Sequence, residues 1–353
     1  MNLKNLRNII IAIILGFGLG AICLFIVGID VGTAYSKLLS SIFGSTKNIL
    51  NCIIYSTPFL LTALSFSIAY KGGIFNIGVE GEFIISSIAT CAVGILFPSV
   101  PHIFIIILCL LSGIVASCIY ASIIHVLKLF FKIHEIFSMI ILNYVALYIS
   151  NFITSIDIIK STSGAETTKM ISEHAIISFP LEFTTKYNLP QNTNISFFIA
   201  VILCIITAIF FKFFPLGHNI ENVKFNSEAS MQSGINVDKT LYHTYFLSAI
   251  IAGIAGSLYV LSITKRVTVL PTFEGIGFTG ILIALFSNSN PITIIFASLF
   301  FGSLKYAGRS LNIVNAPSQV IDLIFSSIIL IAATNFTLKK SKQKFKTTKK
   351  SII

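Results

Sequence analysis

Long apolar runs alternate with short polar punctuation along this chain. Asn8–Ile29 reads NIIIAIILGFGLGAICLFIVGI, and His102–Leu127 reads HIFIIILCLLSGIVASCIYASIIHVL. Each exceeds the ~20 residues that carry a helix across ~30 Å of hydrocarbon. The same pattern predicts further apolar helices near 48–70, 81–100, 135–155, 193–214, 240–263, 275–289, 291–308 and 317–338. The predicted fold class is therefore all-α: a polytopic integral membrane protein with about ten transmembrane helices. A mildly amphipathic stretch, Tyr35–Lys47, is predicted to lie at the outer surface after the first span. Two polar connections are long, Asp157–Asn192 and Leu216–Lys239. Between two late runs, NSNP (Asn288–Pro291) marks a turn or a helix start at the proline.

Composition narrows the solvent. Of 353 residues, 55% are hydrophobic and 10% charged, against about 25% charged in an average soluble domain. Such a chain cannot hide its apolar residues inside a water-soluble globule. The net charge is +11, and seven lysines stand in LKKSKQKFKTTKK (Leu338–Lys350), directly after an apolar run. This is the signature of a cytoplasmic tail, with attraction to anionic headgroups of the membrane lipid rather than to nucleic acid. The expected organisation is one transmembrane domain over 1–338 and a basic cytoplasmic tail over 339–353. Lys4 and Arg7 precede the first span, whose apolar run is too long for a signal peptide and has no small-x-small cleavage site after it. The span is expected to be retained, and an even number of spans puts both termini in the cytoplasm of a multi-pass cytoplasmic-membrane protein. Without the tail, the lysines and arginines are nearly balanced between the two sides, so this orientation rests on the termini and the short loops.

Candidate chemistry is sparse. The cysteines (Cys23, Cys52, Cys91, Cys109, Cys118 and Cys204) fall in or beside apolar runs without metal-ligand spacing, and read as small buried hydrophobes. The histidines are scattered, and no metal, nucleophile or paired-carboxylate constellation stands out, so neither an enzyme nor a metal site is expected. No phosphate-binding loop of the G-x-x-x-x-G-K-[ST] type occurs, so no cofactor is expected on this chain and ATP hydrolysis, if used, falls to another subunit.

Four polar interruptions remain. The first, AYKGGIFNIGVEGEF (Ala69–Phe83), holds Gly73, Gly78, Asn76, Glu80 and Glu82. Glutamates left in lipid would cost roughly 2.5–3.5 kcal/mol each. The stretch reads either as a broken, re-entrant segment facing a pathway or as an ordinary turn with helix-start acids. A second break, FEGIGFTGILIALFSNSNP (Phe273–Pro291), repeats the theme with Gly277, Phe278 and Gly280. Paired breaks in two halves suggest a binding region between the halves of a pseudo-repeat. In HEIFSMIILNYVALYISNF (His134–Phe152), Asn143 either bonds a neighbouring helix, worth about 0.6 kcal/mol, or lines a pore. In NIENVKFNSEASMQSGINVDKTL (Asn219–Leu241), a short surface helix carrying Glu228, Ala229 and Ser230 is predicted to end at Gly234, either as a handle for a soluble partner or as a solvated connector. GFGLG (Gly16–Gly20) and AGIAGS (Ala252–Ser257) are small-residue faces for close helix packing.

Together, GIFNIGVEGEF (Gly73–Phe83), EIFSMIILNY (Glu135–Tyr144), NSEASMQSGINVDKT (Asn226–Thr240) and GIGFTGILIALFSNSNP (Gly275–Pro291) resemble the permease family of ABC importers for simple sugars and nucleosides, related more distantly to ribose and branched-chain amino-acid permeases. The resemblance spans essentially the whole chain, including AYSKLLSSIFGSTKNI and STPFLLTALSFSIAY, and the length suits the larger type of nucleoside permease. It implies the transmembrane subunit of an ATP-driven importer for a nucleoside, purine first, or a simple sugar. The implied partners are a cytoplasmic ABC ATPase docking on the loop with Glu228, Ala229, Ser230 and Gly234, a second and different permease subunit, and an extracytoplasmic substrate-binding lipoprotein. It also places Asn76, Glu80, Asn143 and Phe278 on or near the substrate pathway, with Gly73, Gly78, Gly277 and Gly280 as helix-break glycines. Two positions depart from the family: Thr279, where members often carry an acid, and Ser230, where a second alanine is common. The rival reading is a stand-alone secondary transporter or channel, which would need an ion relay from the few intramembrane acids, chiefly Glu80, Glu82 and Asp322.

Overall fold

Apolar runs with satisfied internal hydrogen bonds become helices, and a computed structural model describes them over residues 3–331, apart from 163, 191, 192 and 318. In chain order they are α1 (Leu3–Ile26), α2 (Val31–Phe43), α3 (Thr46–Lys71), α4 (Val79–Leu96), α5 (His102–Phe131), α6 (Glu135–Ser155), α7 (Leu181–Lys186), α8 (Ser196–Phe213), α9 (Pro215–Phe225), α10 (Ser227–Gln232), α11 (Val237–Tyr259), α12 (Ile276–Phe286), α13 (Pro291–Gly308) and α14 (Gln319–Ile331). Among the described residues, seven are long and apolar enough to cross a membrane: α3, α4, α5, α6, α8, α11 with its continuation to Thr264, and α13 with its continuation to Val314. Two isolated bridges, Lys160–Thr168 and Thr167–Thr268, are the β pairing present among them. The protein is a polytopic, all-helical membrane protein.

Every apolar run in the sequence has a helix, with three differences in detail. The expected span over 275–289 is only the 11-residue α12. At 1.5 Å per residue it covers about 16 Å, half of the hydrocarbon. Asn288 and Ser289 adopt positive φ, and Asn290 accepts from Ile292 N at 3.0 Å to start α13 with Pro291 in its first turn. The connection 216–239 contains an unforeseen helix, α9, started by Pro215. Finally, α2 begins four residues before Tyr35, because Asp30 Oδ2 accepts from Thr33 N at 2.7 Å. The Thr33 backbone bond holds the Asp30 carboxyl below the usual carboxylate range. The predicted end of the last span beyond 331 and the basic tail 339–353 lie outside the described residues.

The described residues divide into two compact units, one within 53–299 and the other built from those before 53 and after 299. In the larger, α4, α5 and α11 pack on one another at backbone distance. A Cβ at Gly253 would lie 2.7 Å from Ile114 Cα, and one at Gly256 would lie 2.5 Å from Phe83 O, so AGIAGS is a packing face. Ile74, Ile84, Tyr120, Ile124, Met139 and Tyr245 form the neighbouring apolar core. At one end of these helices the segment 157–195 laces across. Thr168 N donates to Val267 O (2.8 Å), Ser172 N to Gly94 O (3.0 Å) and Ile177 N to Leu261 O (2.9 Å). Just before, α11 widens into a π-helical turn over Val260–Thr264, and Lys265 closes it with φ +58°.

In the smaller unit, Gly16 and Gly20 of α1 face Ile328 and Ile324 of α14, and Tyr35 OH donates to Phe17 O at 2.5 Å. Phe301 and Phe325 rings pack 4.2 Å apart, and Lys305 pairs with Asp322. Across the described residues the six cysteines are all unbridged; Cys23 is half-buried and the other five are buried.

Candidate functional site

The first break starts where α3 stops. Gly73, at φ +83°, ends the helix in the left-handed region that glycine adopts without strain. Ile74 N donates to Ala69 O and Gly73 N to Tyr70 O, the paired bonds of a Schellman cap. The chain then turns into the bundle instead of out to solvent. Asn76 is fully buried, and its Nδ2 donates to Glu82 Oε1 (3.1 Å) and Ser248 Oγ (3.0 Å). Ser248 in turn exchanges hydrogen bonds with Ser65 of α3. Asn76 Oδ1 and Glu82 Oε2, both buried, accept no hydrogen bond from the described residues.

Because the break runs inward, α4 begins at Gly78 inside protein, where orphan N–H groups need partners. Gly78 supplies no side-chain cap. Asn143 of α6 does so from outside: its Oδ1 accepts from Gly81 N (3.0 Å) and Tyr120 OH (3.1 Å), while its Nδ2 donates to Ile77 O (3.1 Å). Of the two readings of Asn143, the geometry is that of a helix-joining residue.

The second break meets the first at Glu80. The chain descends from Lys265 past Leu270, whose N–H and carbonyl both pair with the Asn151 side chain at 3.0 and 2.8 Å. Gly275 then takes φ +74° and α12 begins. The fully buried Glu80 carboxylate accepts from Gly275 N (3.0 Å), Gly277 N (2.6 Å) and Phe278 N (3.1 Å). A carboxylate on the exposed N–H groups of a helix start satisfies them and complements the positive end of the dipole. Gly277 makes this approach possible, since a Cβ there would lie 2.6 Å from Glu80 Cα. Gly280, one turn on, would place a Cβ 2.7 Å from Thr62 Cβ of α3.

Of the pathway candidates, Asn76, Glu80 and Asn143 are thus buried and engaged, whereas Phe278 is only half-buried. Its ring opens an aromatic series. Phe278 packs edge-on to Phe273 with centroids 5.6 Å apart, and Phe273 packs on Tyr144 at 4.8 Å. Tyr144 is 50% exposed. Beside them Glu274 is exposed at the surface, and Tyr259 OH donates to its carboxylate at 3.2 Å.

The candidate partner loop is compact. Asn226 Oδ1 caps α10 by accepting from Ala229 N (3.1 Å), and Gly234, at φ +84°, ends the turn with Ile235 N on Ser230 O. Glu228 and Ala229 are exposed, and Ser230 is buried.

Residues 48–334 match the family model for the branched-chain amino acid transport system permease component. The chain belongs to this family. The permease is 30% identical over 339 residues to the guanosine ABC transporter permease protein NupP of Bacillus subtilis, covering 96% of this chain and 95% of that one. It is 30% identical over 356 residues to the nucleoside ABC transporter permease protein NupB of Lactococcus lactis, covering 99% and 97%. A second chain of that organism, the nucleoside ABC transporter permease protein NupC, is 26% identical over 297 residues, covering 82% and 89%.

Sequence reasoning about the permease passed over Tyr120, Phe273, Glu274, Tyr259 and Ser248. Glu274 carried a usable signal, a charge beside a Gly-Phe break. The others read as ordinary residues of apolar runs. It also missed a polar cluster at the start of α6, where Glu135 pairs with Lys128 and accepts from Tyr245 OH at 2.6 Å.

Proposed function

We propose that this permease is the membrane-spanning subunit of an ATP-driven ABC importer for nucleosides. The observation that carries the reading is the aromatic series Tyr144–Phe273–Phe278 at the start of the broken helix α12. A nucleoside offers a flat base that stacks on such rings, and a sugar whose hydroxyls suit a nearby carboxylate such as Glu274. The near full-length similarity to nucleoside permeases supports the same substrate class over simple sugars.

In this reading the pathway runs along the aromatic series, and Asn76, Glu80 and Asn143 stand behind it, fixing the two helix starts that form its wall. The chain contributes shape, and no bond is made or broken on it. Energy comes from a cytoplasmic ATPase that docks on α10, so that ATP binding rocks the helices between inward- and outward-open arrangements. A related but different permease completes the pore, as the occurrence of both NupB and NupC in one organism suggests. A substrate-binding lipoprotein delivers the nucleoside at the opposite face, and both termini lie in the cytoplasm.

Uptake of radiolabelled guanosine by cells carrying Phe278→Ala or Asn76→Leu tests the assignment. Loss of the stacking ring is expected to lower uptake about tenfold, the scale of one aromatic contact. Wild-type uptake by both variants at normal expression rejects it. Failure of the chain to co-purify with any ATPase would favour a stand-alone transporter, and competition by a simple sugar but not by guanosine would move the substrate class.

A further inference from the structure

If α10 receives the ATPase, its displacement must reach the broken helices, and one element stands between them. α9 joins α10 through a single residue, Asn226, which ends the first and caps the second. Its other side grips the last turn of α3. Glu221 pairs with Lys71 at 2.5 Å. Lys224 Nζ donates to Tyr70 O at 2.7 Å and lies 3.7 Å from the Tyr70 ring centroid. Glu221 and Lys224 are three residues apart, hence on one face of α9. Lys71 also lies 4.6 Å from the ring centroid of Phe211, in the helix leading into α9.

The backbones meet directly at this point. A Cβ at Gly73 would be 3.5 Å from Lys224 Cα, and one at Gly72 would be 2.6 Å from Thr244 Cγ2 of α11. Gly73 is the residue that ends α3, and Asn76 and Glu80 follow within the same break. The chemistry is also directional. The C-terminal end of α3 offers a cation, Lys71, beside the negative end of its dipole at Tyr70 O, and α9 answers with an anion and a cation in matching order. Sliding α9 along α3 would set Lys71 against Lys224, and like charges would resist it. The Lys71–Glu221 side chains are 24% and 34% exposed. Ion pairs so placed add little static stability, so their value lies in register.

We propose that Lys71, Glu221 and Lys224 form a latch that transmits movement of the α10 segment to the first helix break, acting as positioning residues for transport. The latch rests on the reading of α10 as the ATPase dock. In the other direction, it couples the state of the break to the cytoplasmic partner, as reciprocity of coupling requires.

The test uses the whole importer, both permeases with ATPase and binding protein, reconstituted in liposomes. Lys71→Glu, Glu221→Lys and the double exchange are compared for ATPase co-purification, ATP hydrolysis and guanosine taken up per ATP hydrolysed. Each single variant is expected to keep the ATPase and its hydrolysis but to lose uptake per ATP about tenfold, the usual scale of an allosteric coupling. The double exchange is expected to recover most of that loss. Wild-type uptake per ATP in the single variants, or a loss that the exchange does not repair, overturns the latch. Should either single variant fail to accumulate, Glu221→Gln and Lys224→Gln are measured in the same way, and wild-type uptake per ATP in both again overturns it. Gly234→Trp is run in parallel. If it leaves co-purification and hydrolysis intact, the docking reading itself has failed. If it abolishes co-purification while the latch variants stay fully coupled, the latch alone is rejected.

Discussion

Two helices of this permease start inside the protein, and they are held in different ways. α4 has its early Gly81 N–H satisfied by a neutral amide, Asn143, which is itself tied to Tyr120 and Ile77. α12 has three N–H groups gathered on one carboxylate, Glu80. The lengths explain the difference. α4 runs 18 residues and packs along α5 and α11, so tertiary burial carries it. α12 runs 11 residues, below the length at which an isolated helix sustains itself. The shorter helix therefore takes the stronger, charge-assisted cap. Two breaks that look alike in sequence are one well-supported helix start and one that depends on a single side chain.

Four substitutions sharpen or break this contrast. The largest effect is expected from Gly277→Leu, which drives a side chain into the Glu80 backbone and should remove most monodisperse protein from a detergent size-exclusion profile. A normal profile would mean that α12 can move away from α4 at little cost. Next, Glu80→Gln can keep a carbonyl oxygen on Gly277 N and Phe278 N but turns an amide nitrogen toward Gly275 N and removes the charge, and is expected to cost about 3 kcal/mol; thermal unfolding in detergent measures it. Asn143→Ala is expected to cost about 2 kcal/mol by the same measurement, since three hydrogen bonds go but no charge is involved. A larger loss than that of Glu80→Gln would invert the comparison. The smallest effect belongs to Glu82→Gln, expected within about 1 kcal/mol of wild type, because glutamine still accepts from Asn76 and spares the burial of a carboxylate with one donor. Thermal shifts of Glu80→Gln and Glu82→Gln of equal size would show that the bonding of these two acids does not matter.

The sequence made the covalent neighbourhood of each break readable. Gly73 and Gly234 stand where positive φ is needed, Pro291 starts a helix, and the apolar runs are helices, whereas Gly277 and Gly280 lie inside α12 and the positive φ before it falls on Gly275. What was hidden is the partner across space. Glu80 sits in the first turn of α4, where an acid normally serves its own helix dipole, yet its oxygens lie on residues 195 to 198 positions later. No local spacing distinguishes those two uses. Asn143 was poised between joining helices and lining a pore for the same reason, since its bonds reach 62 residues back to Gly81 and 66 to Ile77. α9 is hard to see in the sequence because NIENVK is polar, although the proline at its head favours a helix start. The half-length of α12 is hidden because its apolar run leads directly into the turn at Ser287 that ends it.

The burial of the thiols has a practical side. Five of the six cysteines are packed between side chains, and Cys23 is half-covered, so native sulfur reacts slowly with water-borne reagents. A Tyr144→Cys change would plant a thiol at a position that this chain leaves 50% uncovered, against a background that is already quiet. The rate at which a maleimide caps it, compared with and without ATP, would then report how much of the time the aromatic series faces water.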